Sequence, residues 1–289
     1  MRKLNPKPPW IRVRLPSGET YAGVKALKRS KSLHTVCEEA VCPNIGECWE
    51  KGNATFMILG DVCTRNCSFC AVKGGRPGKA DFGEPLRVAE AAAKMGLRHL
   101  VVTSVTRDDL KDGGASVFAE TIRQLHEQLA SCTVEVLIPD FKGERQALEE
   151  IVHARPEILG HNVETVLRLY PRVRPQALYQ RSLEVLGMVK DLDPNLVTKS
   201  GIMVGLGETR DELLEVMHHL RDVGCDILTM GQYLRPSMTH LPVIRYYTPE
   251  EFEALKKEGY AAGFRWVESG PLVRSSYGAE SQVRALLSN

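Results

Sequence analysis

From residue 54 onward the chain alternates between two hydrophobic patterns. Short continuous apolar runs at 55–59, 99–103, 134–138, 158–161, 199–204 and 227–230 are rich in Val, Ile and Leu. Strands buried on both faces of a parallel sheet read this way. Between most of them, apolar residues recur at helical spacing, as Leu213, Leu214, Met217 and Leu220 do. Thr209 and Glu212 form a capping-box pattern at the start of that stretch. Thr248, Pro249 and Glu251 mark a similar start further on, with proline at the first helical position. Six strand–helix units of this size predict an α/β fold, a partial parallel (β/α)6 TIM-type barrel. A doubly wound sheet is the main alternative. Residues 1–53 do not follow the alternation and read as an N-terminal extension. Residues 54–263 are the barrel. Residues 264–289 are a C-terminal extension with one more strand-like run at 264–268.

Composition narrows the class of molecule. The 289 residues are 43% hydrophobic, which is enough for a packed core. Lys+Arg 38 against Asp+Glu 36 gives a net charge of +2, which is no footprint for a general nucleic-acid binder. No run is long and apolar enough to span a bilayer, and Met1 to Pro16 has no apolar leader core. The expected location is therefore the cytoplasm, with neither membrane nor nucleic acid as a partner. Basic residues cluster from Arg2 to Lys31. They read as a solvated, poorly ordered arm, the alternative being a docking surface for an acidic partner.

Six cysteines between Cys37 and Cys70 carry the chemistry. Cys63, Cys67 and Cys70 are spaced Cys-x-x-x-Cys-x-x-Cys directly after the first barrel strand, so they fall at the end of the barrel where ligands bind. Cys37, Cys42 and Cys48 form a second, wider triplet. Odd thiol numbers in a reducing compartment argue against disulfides and for a soft metal centre. A cubane iron–sulfur cluster normally takes four cysteines, so a triplet leaves one iron open. Structural zinc is the rival, with His34 able to complete a Cys3His set for the first triplet. Cys132 and Cys225 lie beside apolar strands and read as ordinary buried thiols. His218 and His219 read as solvent-facing.

The Cys63–Cys70 spacing, with Phe69 beside the last cysteine, resembles the radical S-adenosylmethionine superfamily. The remaining motifs narrow the resemblance to the lipoyl synthase family. They are Cys37-x4-Cys42-x5-Cys48; Ser104-Val105-Thr106-Arg107-Asp108-Asp109-Leu110; Asp112-Gly113-Gly114-Ala115; His161-Asn162-Val163-Glu164; Gly201 to Glu208; Gly231 to Pro236; and Gly270-Pro271-Leu272-Val273-Arg274-Ser275-Ser276-Tyr277. The match covers about Val36 to Gly278.

The resemblance implies two 4Fe–4S clusters and S-adenosyl-L-methionine. A radical reaction would insert two sulfur atoms at C6 and C8 of an octanoyl chain on a carrier lysine. These carbons are unactivated, so neither acid–base chemistry nor an ordinary nucleophile can open their C–H bonds. Cys63, Cys67 and Cys70 are implied to hold the cluster that makes the radical. Cys37, Cys42 and Cys48 are implied to hold a sulfur-donating auxiliary cluster, with a serine of Arg-Ser-Ser-Tyr as fourth ligand: Ser276, or alternatively Ser275. From the residues alone those serines read as a plain turn or helix cap. Phe69, Thr103, Asn162, Glu164, Arg174, Gly205 and Gln232 are implied contacts to S-adenosylmethionine. Loop hydrogen bonds are the alternative for Glu164 and a surface salt bridge for Arg174. Arg107 and Arg174 are also candidates for gripping carboxylates. Implied partners are an octanoylated lipoyl carrier domain or glycine-cleavage H-type protein, an electron donor such as flavodoxin or ferredoxin, and an iron–sulfur assembly carrier. Rival functions are a different radical enzyme, an iron–sulfur electron carrier and a zinc-stabilised binding module.

Overall fold

The computed structural model describes residues 6–13, 15–51 and 53–287. The basic residues Arg2, Lys3 and Arg14 lie outside the described residues. In chain order the regular elements begin with α1 (Glu19–Ser30), β1 (His34–Thr35), α2 (Val36–Glu39), α3 (Ile45–Glu50), β2 (Thr55–Ile58), β3 (Val62–Cys63) and β4 (Lys73–Gly74). Next come α4 (Glu84–Met95), β5 (His99–Ser104), α5 (Ala115–Gln128), β6 (Thr133–Leu137), α6 (Arg145–His153), β7 (Ile158–Gly160), α7 (Tyr170–Val173) and α8 (Tyr179–Leu192). The last are β8 (Val197–Val204), α9 (Arg210–Asp222), β9 (Ile227–Gln232), α10 (Pro249–Ala261), β10 (Trp266–Gly270) and α11 (Ala279–Leu287).

The main sheet has the order β1-β2-β5-β6-β7-β8-β9-β10, with every neighbouring pair parallel except the β1–β2 pair. That order never reverses, so there is no topological switch point of the kind a doubly wound sheet needs. With right-handed crossovers, strands added in one direction put their helices on one side, and the sheet curls into a barrel. β1 and β10 are not paired to each other, so the barrel stays open. The run expected at 264–268 is β10, paired in parallel with β9.

Local chemistry accounts for the elements. β2 and β9 are buried along their whole length, and β8 is buried except at Met203. Both capping boxes form: Thr209 with Glu212, and Thr248 with Glu251. Each is worth about 1 kcal/mol to its helix start.

The N-terminal arm is a correction. Residues 19–30 are a docked helix, burying Val24 and Leu27, with Tyr21 packed on Trp49 at a ring distance of 5.0 Å. Lys28 and Lys31 are not solvated charges but pair with Glu38 and Glu90. The helix has only two buried apolar positions and relies on lysine stems and ion pairs, which an apolar pattern does not register.

The C-terminal helix closes the floor of the barrel. Val283 of α11 packs on Ile158, Val197 and Ile227, the first residues of β7, β8 and β9, and beside Trp266, the first of β10. Residues 271–278 therefore run from the top end of β10 down to the opposite end of the barrel. Gly231 makes room for them, because a Cβ there would stand 2.1 Å from the Val273 carbonyl oxygen.

Candidate active site

The second triplet sits in a loop tied off at its base. β3 and β4 pair in parallel, and residues 64–72 between them carry Cys67 and Cys70. The Cys63 sulfur accepts from the N–H groups of Arg65 at 3.4 Å and Thr106 at 3.3 Å. Arg65 is buried and forks to two carboxylates: Asp108 at 2.7 and 2.9 Å, and Asp140 at 2.9 and 2.7 Å. Burial opposes the charge on Asp140, but the Arg65 hydrogen bonds win and hold its carboxyl at about 2. A residue inside the cysteine loop thus bolts that loop to the ends of β5 and β6. On the other side His240 Nε2 donates to the Cys70 carbonyl at 2.9 Å, and Leu241 N–H donates to the Ser68 carbonyl at 3.2 Å.

Asn162, Glu164 and Arg174 come together beside this loop. Asn162 Nδ2 donates to Glu164 at 3.0 Å and to Ser275 Oγ at 2.7 Å, and Arg174 donates to the Asn162 carbonyl at 2.9 Å. Glu164 holds a left-handed backbone at φ 67°, pinned to β8 through Gly201 and Met203. Non-glycine residues adopt this conformation at a cost, and such strain clusters at functional sites. Asn162 Oδ1 and Arg174 Nε are buried with no hydrogen-bond partner, which fits a polar ligand seated against them. Arg174 is buried rather than in a surface salt bridge. Phe69 is half-buried and packs on the core around β8 and β9.

Other expected contacts are already engaged. The Thr103 hydroxyl donates to the Leu137 carbonyl at 2.8 Å. Gln232 is fully buried, its amide spent on the carbonyls of Val204, Tyr233 and Arg245 and on the Tyr247 N–H. Gly205, at φ 101°, lies where a Cβ would meet Gln232 Nε2 at 2.1 Å. Arg107 grips a carboxylate of its own chain, Asp109, at 2.9 and 2.8 Å. His218 is exposed as expected, whereas His219 is half-buried against the Tyr179 hydroxyl at 3.0 Å.

The first triplet is built on short helices. Cys37 lies in α2, Cys48 in α3, and Cys42 in the turn between, its N–H donating to the Cys37 carbonyl at 3.0 Å. Trp49 is fully buried with its indole against the Cys37 thiol, which it acts to lower. Asn44 ties this unit to the C-terminal segment by donating to the Leu272 carbonyl at 2.7 Å. Ser275 and Ser276 are the central residues of a turn closed by Tyr277 N–H to the Arg274 carbonyl at 2.8 Å. Their hydroxyls diverge. Ser275 meets Asn162, while Ser276 accepts from Thr55 Oγ1 at 2.9 Å, and the Thr55 backbone acts to lower the Cys37 thiol. His34 turns to Glu39 at 3.4 Å instead. Among the described residues no three His, Cys, Asp or Glu side chains are grouped to hold a single ion.

Burial raises Cys225 as well as the triplet thiols, and what sets the triplets apart is that their cysteines also raise one another. Burial, followed by the neighbouring cysteines, pushes Cys48 and Cys70 up to about 12. Burial likewise pushes Cys37 to about 11. Thiols that raise one another share one space, and a metal centre deprotonates such groups outright. Arg65 and His240 escaped the sequence reading. Arg65 had a signal, since it lies inside the cysteine spacing opposite the Asp108 motif.

Comparison with known proteins shows the family. A profile of the radical SAM superfamily matches residues 57–220, and one for the N-terminal domain of lipoyl synthase of the radical SAM family matches residues 2–42. The chain is 61% identical over 277 residues to lipoyl synthase of Rubrobacter xylanophilus, covering 96% of this chain and 86% of that one. It is 58% identical over 284 residues to lipoyl synthase of Koribacter versatilis, covering 98% and 93%. Among solved structures, methylornithine synthase superposes with a TM-score of 0.56 at 13% identity, covering 88% of this chain and 79% of that one. A maturase of the FeFe-hydrogenase superposes with a TM-score of 0.53 at 13% identity, covering 80% and 61%. These two likenesses speak for the fold alone.

Proposed function

The chain belongs to the lipoyl synthase family of radical S-adenosylmethionine enzymes, and from that premise we propose how its own residues divide the work. The protein is a sulfurtransferase that inserts two sulfur atoms into an octanoyl chain held on a carrier protein, using S-adenosylmethionine and two 4Fe–4S clusters. When bound, the cluster of one triplet with S-adenosylmethionine supplies a hydrogen-abstracting 5′-deoxyadenosyl radical, and the cluster of the other supplies sulfur.

Cys63, Cys67 and Cys70 hold the radical-generating centre, with Arg65 and His240 fixing their loop. Asn162, Glu164 and Arg174 bind S-adenosylmethionine, with Phe69 against its apolar side. The unpartnered atoms of Asn162 and Arg174 support this. Thr103, Gly205 and Gln232 act through the backbone they fix, as their engaged side chains indicate. Cys37, Cys42, Cys48 and Ser276 hold the sulfur-donating centre. The Ser276–Thr55–Cys37 contacts favour Ser276 over Ser275, which faces Asn162. Oxygen is a hard ligand poorly matched to a soft cluster, so Ser276 is suited to let go. Along the chain, residues 1–53 carry the auxiliary cysteines, 54–263 the radical barrel, and 264–289 the serine segment.

The carrier is a lipoyl domain or an H-type protein, electrons come from a flavodoxin or ferredoxin, and an iron–sulfur carrier rebuilds the spent centre. A cavity of about 340 Å³ lined by Arg12, Asn44, Glu47, Lys51 and Leu272 opens beside the first triplet, which supports access from outside. Among the described residues no helix is long and apolar enough to cross a membrane, and the proposed location is the cytoplasm.

The observation that carries the assignment is the pair of triplets joined through one serine turn. The test is mass spectrometry of an octanoyllysyl peptide after anaerobic incubation with reconstituted protein, reductant and S-adenosylmethionine. A gain of two sulfur atoms with 5′-deoxyadenosine is expected. 5′-Deoxyadenosine with an unchanged peptide would refute the substrate.

A further inference from the structure

A buried polar chain runs from the barrel floor to the serine turn. Lys199 on β8 is 1% exposed and donates to Glu135 on β6 at 2.8 Å; Glu135 is also 1% exposed. His99 on β5 stands 3.7 Å from the other oxygen of Glu135. The same Lys199 ammonium donates to Gln282 Oε1 of α11 at 2.8 Å. Gln282 is fully buried, and its Nε2 donates to the Tyr277 carbonyl at 3.1 Å. Tyr277 follows Ser276 directly and closes the turn around both serines.

The cost of this arrangement calls for a reason. A lysine and a carboxylate in a barrel lumen lose their hydration, and an apolar pair of similar volume would often serve stability as well. Their particular feature is a fixed hydrogen-bond socket for one amide. The amide occupies it with its oxygen and uses its nitrogen on the turn. α11 could pack through Val283 alone without dictating where the turn sits. Gln282 sets the height of the Tyr277 carbonyl, and with it the Ser276 hydroxyl, against Thr55.

We propose that Gln282, seated on the Lys199–Glu135 pair, is a positioning residue that holds Ser276 in place as the oxygen ligand of the auxiliary centre. The inference rests on the reading of Ser276 given above. Groups that orient a metal ligand typically change affinity or activity about 10- to 100-fold when removed.

The test compares Gln282→Met, Ser276→Ala and Glu135→Gln as full-length, anaerobically reconstituted enzyme. Gln282→Met keeps the volume and cuts both bonds. Glu135→Gln disturbs the same socket but leaves the amide bonded at both ends. Two quantities are read: 5′-deoxyadenosine formed per thiolated product, and the Mössbauer spectrum of the auxiliary centre. Gln282→Met is expected to raise the ratio about 10- to 100-fold and to broaden the signal of the oxygen-ligated iron, as Ser276→Ala does. Glu135→Gln is expected to lower thermal stability with the ratio and spectrum of the parent. If Ser276→Ala alone moves both readouts, Gln282 is structural and the inference falls. If Ser276→Ala moves neither, the serine reading itself falls, and the inference with it. Should Gln282→Met not fold, Gln282→Asn keeps the amide one methylene short of spanning both partners. A parent-like ratio there would overturn the proposal.

Discussion

The two cysteine triplets are held by opposite kinds of physics. The Cys63–Cys70 loop is fixed by charge: the Arg65 fork to Asp108 and Asp140, with His240 and buried Arg174 nearby. The Cys37–Cys48 unit is fixed by packing, with Trp49 fully buried between Tyr21 and the cysteines, and by a segment that arrives from the other end of the chain. A charged frame suits a centre that must bind a zwitterionic sulfonium ligand. An apolar frame sealed by a detachable turn suits a centre whose own sulfur is the reagent. Three thiolates are common to both, and the surroundings assign the task.

The largest expected effect separates the two halves by residue. Replacing Cys63, Cys67 or Cys70 with alanine is expected to abolish both S-adenosylmethionine cleavage and sulfur insertion. Cleavage surviving in any of these three would break the comparison at its base. Arg65→Met comes next, because it takes the forked partner from partly exposed Asp108 and from fully buried Asp140, which keeps only the more distant Arg181 at 3.8 Å, at about 3 kcal/mol. Cleavage should fall with it, while iron bound at the first triplet should stay. A denaturant melt and iron quantitation in a Cys63→Ala background check this.

Acid sharpens the contrast, since His161 and Asp140, both held below their ordinary values, stand on the charged half. Burial first, then the charge of Arg174, holds His161 at about 4, against an ordinary value of 6.5. The unfolded chain therefore takes up a proton before the folded one does. His161 contributes stability that is full above pH 6.5 and is lost as the pH falls toward 4, up to about 3 kcal/mol. Asp140, depressed to about 2 from 3.8, extends the loss from about pH 4 to 2. Melts across this range should show the slope between pH 6.5 and 4, and His161→Gln should flatten it. An unchanged slope in that variant would remove His161 as the cause. The smallest effect is on the packed side: Asn44→Ala removes the tie to Leu272 and should cost about 1 kcal/mol. It should lower product yield without lowering cleavage, as read by 5′-deoxyadenosine per peptide thiolated.

Much of this was legible in sequence because it is written locally. Fully buried parallel strands announce themselves as unbroken apolar runs, and Thr209–Glu212 and Thr248–Glu251 are caps by spacing alone. The cysteine triplets are short-range patterns too. What stayed hidden depends on residues far apart in the chain. Lys199 looks like a strand error until it meets Glu135 and Gln282, 64 and 83 positions away. Residues 271–278 look like a loop with turns, and they are one. That the loop spans the height of the barrel follows only from where α11 lands. Within the basic segment from Arg2 to Lys31, the helix at 19–30 leaves little apolar signal because lysine stems and ion pairs carry its docking.

The division of labour between the triplets is tested most directly by Cys37→Ala, Cys42→Ala and Cys48→Ala. Each variant is incubated anaerobically with octanoyllysyl peptide, reductant and S-adenosylmethionine, and both products are measured in the same sample. The account predicts 5′-deoxyadenosine formation with no sulfur on the peptide. A peptide carrying two sulfur atoms from any of the three would contradict it.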